Sequence, residues 1–160
     1  EVEILDIRPL KKIIPGITFR QADLMNMLPE LENYCDSFSC LHTLEHFGLG
    51  RYGDPVASDG HAKGFANMSR ILKPNGIFYL SVPIGKERVE FNANRVFAPD
   101  TIVELGIKYG LRLLRLQVIE NGNNGMFYYT AETSSFEKLS TKKYCLGIFE
   151  FIKAEQNNFQ

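Results

Sequence analysis

The sequence has no tryptophan, only three cysteines among its 160 residues, and no excess of charge of either sign. Its 18 basic and 19 acidic residues leave a formal net charge of −1, which gives no bulk attraction to nucleic acid or to an anionic membrane. No apolar run approaches the ~20 residues that a membrane helix needs. No charged segment followed by an apolar core opens the chain, as a secretory signal would. The composition therefore predicts neither a nucleic-acid partner nor a membrane partner.

The three cysteines, Cys35, Cys40 and Cys145, form no CxxC pair. Such usage suits a reducing compartment better than a disulfide framework, and we therefore expect a cytoplasmic protein. A chain of this length with 44% hydrophobic and 23% charged residues has the balance of one globular domain. Because no repeat or linker divides it, we expect a single domain over residues 1–160.

Hydrophobic periodicity predicts an alternation of strands and helices. One helix begins at Asp59-Gly60 and places Phe65 and Met68 on one face, and a second begins at Pro99 and ends at Gly110. Strands are predicted over residues 2–7, 17–20, 34–41, 77–82, 111–118 and 145–152. This alternation predicts an α/β fold with helices on the faces of the sheet.

The longest polar segments follow predicted strands, at residues 42–60, 84–98 and 120–143. In open α/β sheets, ligands bind beyond the carboxyl ends of the strands, so we expect these loops to meet at one edge. The last loop carries Phe127, Tyr128 and Tyr129. These aromatic residues either cover the cleft as a lid or, the interpretation we favour, pack their loop against the sheet.

Several motifs resemble those of a known family. CDSFSCLHTLEHF and RILKPNGIFYLSVP resemble the fourth-strand motif and the turn with the fifth strand of class I methyltransferases that use S-adenosylmethionine. LHTLEHFGLGRYGDP together with SVPIGKERVEFNANRVF is similar, more narrowly, to the DUF268 family. The resemblance implies a Rossmann-like sheet, mostly parallel with an antiparallel last strand, and S-adenosylmethionine as cofactor.

The sequence as given shows no counterpart to the first strand and glycine-rich loop of the methyltransferase family, because it begins with the strand that ends at Asp6. In the family's sheet, that first strand lies between the second and the fourth. We therefore expect the chain to be an N-terminally incomplete methyltransferase-like domain, a fragment of a longer protein.

The resemblance also implies a set of cofactor contacts. The carboxylate of Asp6 corresponds to the acidic residue that binds the ribose hydroxyls, and Asp23 to the one near the adenine amine. As alternatives, Asp6 is a solvated carboxylate at a strand end and Asp23 caps the following helix. The complete set of expected cofactor-binding residues is Asp6, Ile7, Arg8, Asp23, Leu24 and Leu41.

His42, Glu45 and His46 are the candidate catalytic residues, because imidazole acts as a general base near neutral pH. Residues 42–46, the HTLEH segment, also match HxxEH, an inverted zinc-protease signature. For a zinc site, Glu120 is the only downstream carboxylate that we consider as a third ligand. We predict no metal, since a zinc site of this type needs a long helix and the motif lies between a strand and a glycine-rich loop. A third interpretation makes one histidine the partner of a buried backbone group.

Two loops supply the candidate substrate-binding residues, namely Arg51, Tyr52, Asp54, Lys86, Arg88, Asn92, Asn94 and Arg95. As alternatives, the first loop is a turn held by an internal Arg–Asp pair and the second is a solvated charged surface. The leading hypothesis is methyl transfer to an oxygen or nitrogen of a small polar or glycan-type acceptor. A non-catalytic binding or assembly module and a zinc hydrolase are the alternatives, and the sequence indicates no oligomeric state.

Overall fold

The structure, a computed structural model, describes residues 1–12, 14–122 and 125–155. Its helices are α1 (Gly60–Ile71), α2 (Pro99–Lys108) and α3 (Phe136–Ser140). Its strands are β1 (Val2–Asp6), β2 (Ile17–Gln21), β3 (Cys35–Leu41), β4 (Leu72–Ile84), β5 (Arg88–Val89), β6 (Arg95–Val96), β7 (Leu111–Gly122), β8 (Gly125–Thr130) and β9 (Cys145–Lys153). None of the helices in these ranges has the length and hydrophobicity of a membrane-spanning segment.

The strands form two principal sheets. β1 and β2 pair in parallel as a two-stranded sheet, and the larger sheet has the order β3-β4-β9-β7-β8. In the larger sheet β3 and β4 are parallel, whereas β9 runs antiparallel to both β4 and β7. The α/β fold predicted from the alternation of elements and the antiparallel last strand implied by the family resemblance are both confirmed.

The core of the larger sheet is aromatic and lies under α1 and α2. Phe65 of α1 meets Phe78 of β4 edge-to-face, with 5.5 Å between ring centroids, and Phe151 of β9 at 6.1 Å. On α2, Gly106 lies against the Phe151 ring, where a Cβ atom would come within 2.7 Å of it. Both helices therefore pack on the same face of the sheet, and they bury the alternating apolar residues of β4 and β9 there.

The two-stranded sheet is connected to this core by the segment that follows β2. The amide of Asn67, buried on α1, donates hydrogen bonds to the carbonyls of Leu24 (2.9 Å) and Asn26 (3.0 Å). Among the described residues, no strand pairs β1 with β3. Side-chain packing and loop contacts, rather than a continuous hydrogen-bonded ladder, therefore hold β1 and β2 beside the larger sheet.

Residues 120–143 correct the expectation of a long loop. β7 extends to Gly122, and β8 pairs with it in antiparallel register, so that Phe127 opposes Glu120. Aromatic residues favour strands because they pack well on a pleated surface, and this preference explains the hairpin. Phe127 and Tyr129 stack on one face with their ring centroids 6.0 Å apart, while Tyr128 is exposed on the other. The three aromatics thus belong to an edge strand rather than to a loop.

Candidate active site

A cavity of about 200 Å³ lies at the carboxyl ends of β1, β2 and β3. Strands that run in parallel end at the same edge of a sheet, which is why residues distant in sequence meet there. The cavity is lined by Leu5, Asp6, Ile7, Arg8, Ala22, Asp23, Leu24, Met25, His42, Thr43, His46, Phe47, Tyr52 and Asp54. The site therefore combines three acidic side chains, two imidazoles and an apolar wall.

Asp6, the last residue of β1, is held by the residue two positions along the chain. Its Oδ1 accepts hydrogen bonds from the backbone N–H (2.8 Å) and Nε (3.0 Å) of Arg8, and its Oδ2 accepts one from Nη2 (2.8 Å). The hydrogen bond from the Arg8 side chain lowers the pKa of the Asp6 carboxyl below its ordinary value. Because a carboxylate has about four lone-pair sites, Oδ2 keeps one for a ligand.

Asp23 follows β2 and organises the turn after it. Its Oδ1 accepts a hydrogen bond from the backbone N–H of Met25 (2.9 Å), and its Oδ2 accepts one from the Asn26 amide (3.0 Å). The capping alternative is thus part of what the structure shows, although the capped segment is a turn rather than a helix. Asp23 also lines the cavity beside Leu24 and Met25.

The HTLEH segment leaves β3 through an unusual backbone conformation. His42 has φ of +52°, a region that non-glycine residues seldom occupy, and its N–H donates to the carbonyl (2.9 Å) and hydroxyl (3.2 Å) oxygens of Ser81 on β4. Leu44–His46 then forms a single 3-10 turn. Strain of this kind persists only where surrounding contacts impose it, as the two bonds to Ser81 do.

The zinc alternative receives no support from this geometry. In the described ranges no three His, Cys, Asp or Glu side chains are grouped so that they could hold a metal ion. Glu120, the one downstream carboxylate considered as a third ligand under this alternative, pairs with Lys142 and lies 3.7 Å from the Cys145 sulfur. The motif occupies one short turn, whereas the zinc-protease signature requires a stable helix.

The loop at residues 48–54 is held by Asp54 and not by an Arg–Asp pair. The Asp54 carboxylate accepts hydrogen bonds from the backbone N–H groups of Gly48 (2.9 Å), Gly50 (3.2 Å) and Tyr52 (3.1 Å). Burial raises the pKa of the Asp54 carboxyl, but these donors outweigh burial and lower it overall. Gly48 and Gly50 have positive φ, which explains the glycines of this loop.

Tyr52 forms the outer wall of the cavity. The guanidinium of Arg8 lies 5.1 Å from its ring centroid and that of Arg51 lies 5.8 Å away, while the His46 ring meets it edge-on at 5.3 Å. Arg51 also donates to the carbonyls of Asn92 and Ala93. These contacts connect β1 to two loops through a single aromatic ring.

The structure separates the expected substrate residues into two groups. Tyr52 and Asp54 line the cavity, and Arg51 touches Tyr52. The expected substrate residues of the 84–98 loop do not line the cavity; they are Lys86, Arg88, Asn92, Asn94 and Arg95. Leu41, expected to contact the cofactor, is exposed and does not line the cavity either.

Arg95 was expected to bind substrate, but its side chain is occupied by contacts within the protein. It is buried, and its guanidinium donates to the carbonyls of Phe47 (2.5 Å) and Ser58 (3.4 Å). Burial lowers its pKa from the ordinary value for arginine. Its role is to connect the 42–60 loop to β6, and we remove it from the proposed substrate contacts.

Met25, Thr43 and Phe47 line the cavity but were not among the expected site residues. Each is next to, or within two residues of, a residue predicted to act in the site. Apolar or small, they carry no chemical signature that a single sequence reveals. Their places in the cavity are decided by the turns that come after β2 and β3.

Residues 12–109 match the family described as Caenorhabditis protein of unknown function, DUF268. This match covers more than half of the chain. The chain belongs to the DUF268 family. Curated proteins gave no significant match to the sequence.

Solved structures show how widely this DUF268 fold is shared. The 1,6-didemethyltoxoflavin-N1-methyltransferase of Burkholderia thailandensis superposes with a TM-score of 0.64 at 16% identity, over 96% of this chain and 61% of that chain. The N-methyltransferase NodS of Bradyrhizobium japonicum WM9, in complex with S-adenosylhomocysteine, gives 0.59 at 12% identity, over 96% and 66%. The [4+2]-cyclase SpnF gives 0.56 at 16% identity, over 86% and 56%.

At such identities these likenesses establish the Rossmann-like methyltransferase fold. The chain spans between 56% and 66% of the length of these three proteins. One of them is a cyclase, which shows that the fold alone does not determine the reaction. The reaction of the DUF268 chain has to be argued from its site.

Proposed function

We propose that this protein binds S-adenosylmethionine in the cavity at the ends of β1, β2 and β3 and transfers its methyl group to a small polar or glycan-type acceptor. The observation that carries the proposal is the meeting of Asp6, Asp23 and His42 around one cavity at the carboxyl edge. When bound, this cofactor supplies a methyl group already activated by a sulfonium.

The residues present fit the adenosine part of that cofactor. The free lone pair of Asp6 Oδ2 suits a ribose hydroxyl, and Arg8 holds the carboxylate in position for it. Leu5, Ile7, Leu24 and Met25 supply an apolar wall for a flat base. Asp23 lies on that side of the cavity, where its carboxylate suits the adenine amine.

His42, Glu45 and His46 are proposed to serve the acceptor rather than the cofactor. All three follow β3. His42 and His46 line the cavity, Glu45 contacts both of them, and Tyr52 adjoins His46. Methyl transfer needs in-line positioning of the acceptor and, for a hydroxyl group, removal of its proton. Imidazole in this position suits the second requirement.

Calorimetric titration of the full-length protein with S-adenosylhomocysteine tests the cofactor proposal without knowledge of the acceptor. We expect saturable binding with one site per chain. A folded protein that shows no binding contradicts the proposal. Methyl transfer from labelled S-adenosylmethionine to a panel of sugars, polyols and amines then separates an enzyme from a binding module, because a module binds the cofactor without turnover.

A further inference from the structure

The buried carboxylate of Glu45 lies behind the wall of the cavity and contacts both histidines of the HTLEH segment. Glu45 is 2% exposed, and its Oε1 lies 3.2 Å from Nδ1 of His42 and 3.9 Å from Nε2 of His46. Its Oε2 is buried and has no hydrogen-bond partner among the described residues. Burial of a carboxylate costs free energy unless hydrogen bonds or an opposite charge compensate it. The two imidazoles are the groups that can compensate Glu45, so the nitrogen that each turns toward Glu45 matters.

His46 is the less accessible of the two imidazoles. Its Nδ1 lies 2.9 Å from the carbonyl oxygen of Ala93, which can only accept, so Nδ1 carries a hydrogen and donates it. Its Nε2 is therefore the nitrogen directed at Glu45. At 3.9 Å this contact is longer than a hydrogen bond, but it places Nε2 next to a buried carboxylate. The His46 side chain is also only 18% exposed, whereas that of His42 is 46% exposed.

His42 differs from His46 in the nitrogen that faces Glu45, which is Nδ1 in His42 and Nε2 in His46. A carboxylate accepts hydrogen bonds, so Nδ1 of His42 donates to Glu45 and Nε2 keeps its lone pair. The His42 side chain is 46% exposed and lines the cavity. Its backbone is fixed in a strained conformation by Ser81, so the ring is positioned at both ends.

We propose that His42 Nε2 is the general base of the site, that Glu45 is the positioning residue that fixes its tautomer, and that the acceptor is therefore a hydroxyl group. The last step rests on the proposed function. A neutral amine attacks a methyl group with its own lone pair, whereas an alcohol is a weak nucleophile until its proton is removed. A base oriented by a buried carboxylate is thus a device suited to an alcohol.

The proton and electron balance is simple. The hydroxyl proton moves to His42 Nε2, which becomes imidazolium with its Nδ1–H still directed at Glu45. The electron pair of the O–H bond stays on oxygen and forms the new bond to the methyl carbon. The pair of the old carbon–sulfur bond leaves with sulfur, which becomes a neutral thioether.

Long-range ¹H–¹⁵N correlation spectra of the histidine rings test the geometry directly, without cofactor or acceptor. The two tautomers of a neutral imidazole give different nitrogen shifts, and free imidazole side chains in water favour hydrogen on Nε2. We expect neutral His42 to carry its hydrogen on Nδ1. A wild-type spectrum with the His42 hydrogen on Nε2 overturns the proposal by itself, whatever the variants do.

Two substitutions of Glu45 sharpen this test. Glu45→Ala removes the acceptor and should return His42 to the tautomer with hydrogen on Nε2. Glu45→Gln keeps an acceptor oxygen and should preserve the Nδ1–H form. Glu104→Ala removes an exposed carboxylate from α2 and should leave the spectra unchanged. The signals of His61 should stay the same in every variant and serve as an internal control. An unaltered His42 tautomer in folded Glu45→Ala contradicts the positioning role.

The activity measurement addresses the acceptor. With a hydroxyl acceptor, His42→Gly should lower kcat by about 10²–10⁴-fold and added imidazole should restore part of the rate, while KM for the cofactor stays constant. Turnover of amines alone overturns the hydroxyl assignment. Absence of S-adenosylhomocysteine binding refutes the proposed function and leaves the tautomers as they are, whereas binding with the wrong His42 tautomer refutes only the present inference.

Discussion

At the scale of single residues, the site depends on which side chains are already occupied by internal contacts. Asp6 accepts three hydrogen bonds from Arg8 and keeps one lone-pair site, whereas both guanidinium contacts of Arg95 go to backbone carbonyls. Two charged residues that look equally functional in the sequence therefore differ in what they can offer a ligand. The difference can be measured on Asp6.

Asp6→Asn should weaken S-adenosylhomocysteine binding by about 1.5–3 kcal/mol, because a charge-assisted hydrogen bond to the ribose is lost. The stability of the ligand-free protein should change little, since the Asp6–Arg8 pair is largely solvent-exposed. Calorimetry gives the affinity and thermal unfolding gives the stability. Asp36→Asn is the matched control, because Asp36 is an exposed carboxylate paired with Lys73 outside the cavity lining. Equal affinities for Asp6→Asn and the wild type would contradict a ribose contact.

At the scale of elements, α1 packs against the segment that follows the Leu44–His46 turn. Gly64 lies against the ring of Phe47, where a Cβ atom would overlap the ring, and Gly60 packs against the backbone of Gly48. The small residues of the helix thus allow the loop that begins at His42 to approach closely. The apolar stripe of α1 faces the sheet, and its glycines face this loop.

Gly64→Ala should destabilise the protein by about 1–3 kcal/mol, because the methyl group overpacks the Phe47 contact. The sign is diagnostic, since Gly→Ala inside a helix otherwise stabilises by about 0.5–1 kcal/mol. Denaturant unfolding measures the change. Lys63→Ala, at the adjacent position with an exposed side chain, should stay within about 0.5 kcal/mol of the wild type. A more stable Gly64→Ala variant would show that Phe47 moves freely.

The β7–β8 hairpin and β9 enclose a cluster of ionisable groups formed by Glu120, Tyr129, Lys142 and Cys145. Burial and the neighbouring Glu120 raise the pKa of Tyr129 to about 12 and that of Cys145 to about 11, from ordinary values of 10.0 and 9.0. The folded state therefore holds protons that the unfolded chain has already released. By linkage, the free energy of unfolding falls as the pH rises from about 9 to about 12.

Tyr129→Phe should remove the part of this alkaline loss that falls between about pH 10 and pH 12, because phenylalanine has no proton to retain. We expect the slope of the unfolding free energy against pH to lessen by up to about 1 kcal/mol per pH unit there. Tyr128→Phe, on the exposed face of the same strand, serves as control. Slopes that are identical in the two variants would exclude Tyr129 as the source.

At the scale of the whole molecule, two sheets share one cavity without sharing a hydrogen-bonded ladder. β1 and the turn after β2 supply Asp6 and Asp23, while the loop after β3 supplies the histidines and Tyr52. A ligand in this cavity therefore contacts both sheets, and its binding energy opposes their separation.

Hydrogen exchange should reveal this division. Backbone amides of β1 and β2 should exchange at least ~10-fold faster than those of β4 and β9, which have a partner strand on each side. Saturation with S-adenosylhomocysteine at about 100 times its Kd should slow β1 and β2 by about 100-fold. Exchange of all four strands at one common rate, before and after ligand, would contradict the two-part description.

The sequence by itself determined the two long helices, most of the long strands and the edge at which the site forms. Apolar periodicity located β1 to β4 and both long helices, and strand ends marked Asp6, Asp23 and His42 as neighbours, because parallel strands finish at one edge. Hydrophobic spacing of this kind is a local property, so a single sequence carries it.

Only the tertiary structure decided which polar groups are free to act. The partner of His46 is the carbonyl of Ala93, 47 residues away, and that of Arg95 is the carbonyl of Phe47, at a separation of 48. Backbone carbonyls are alike in every residue, so no pattern in the sequence marks the one that accepts a particular hydrogen. The burial of Glu45 likewise depends on the packing of distant elements, and that packing leaves His42 as the more exposed imidazole at the cavity.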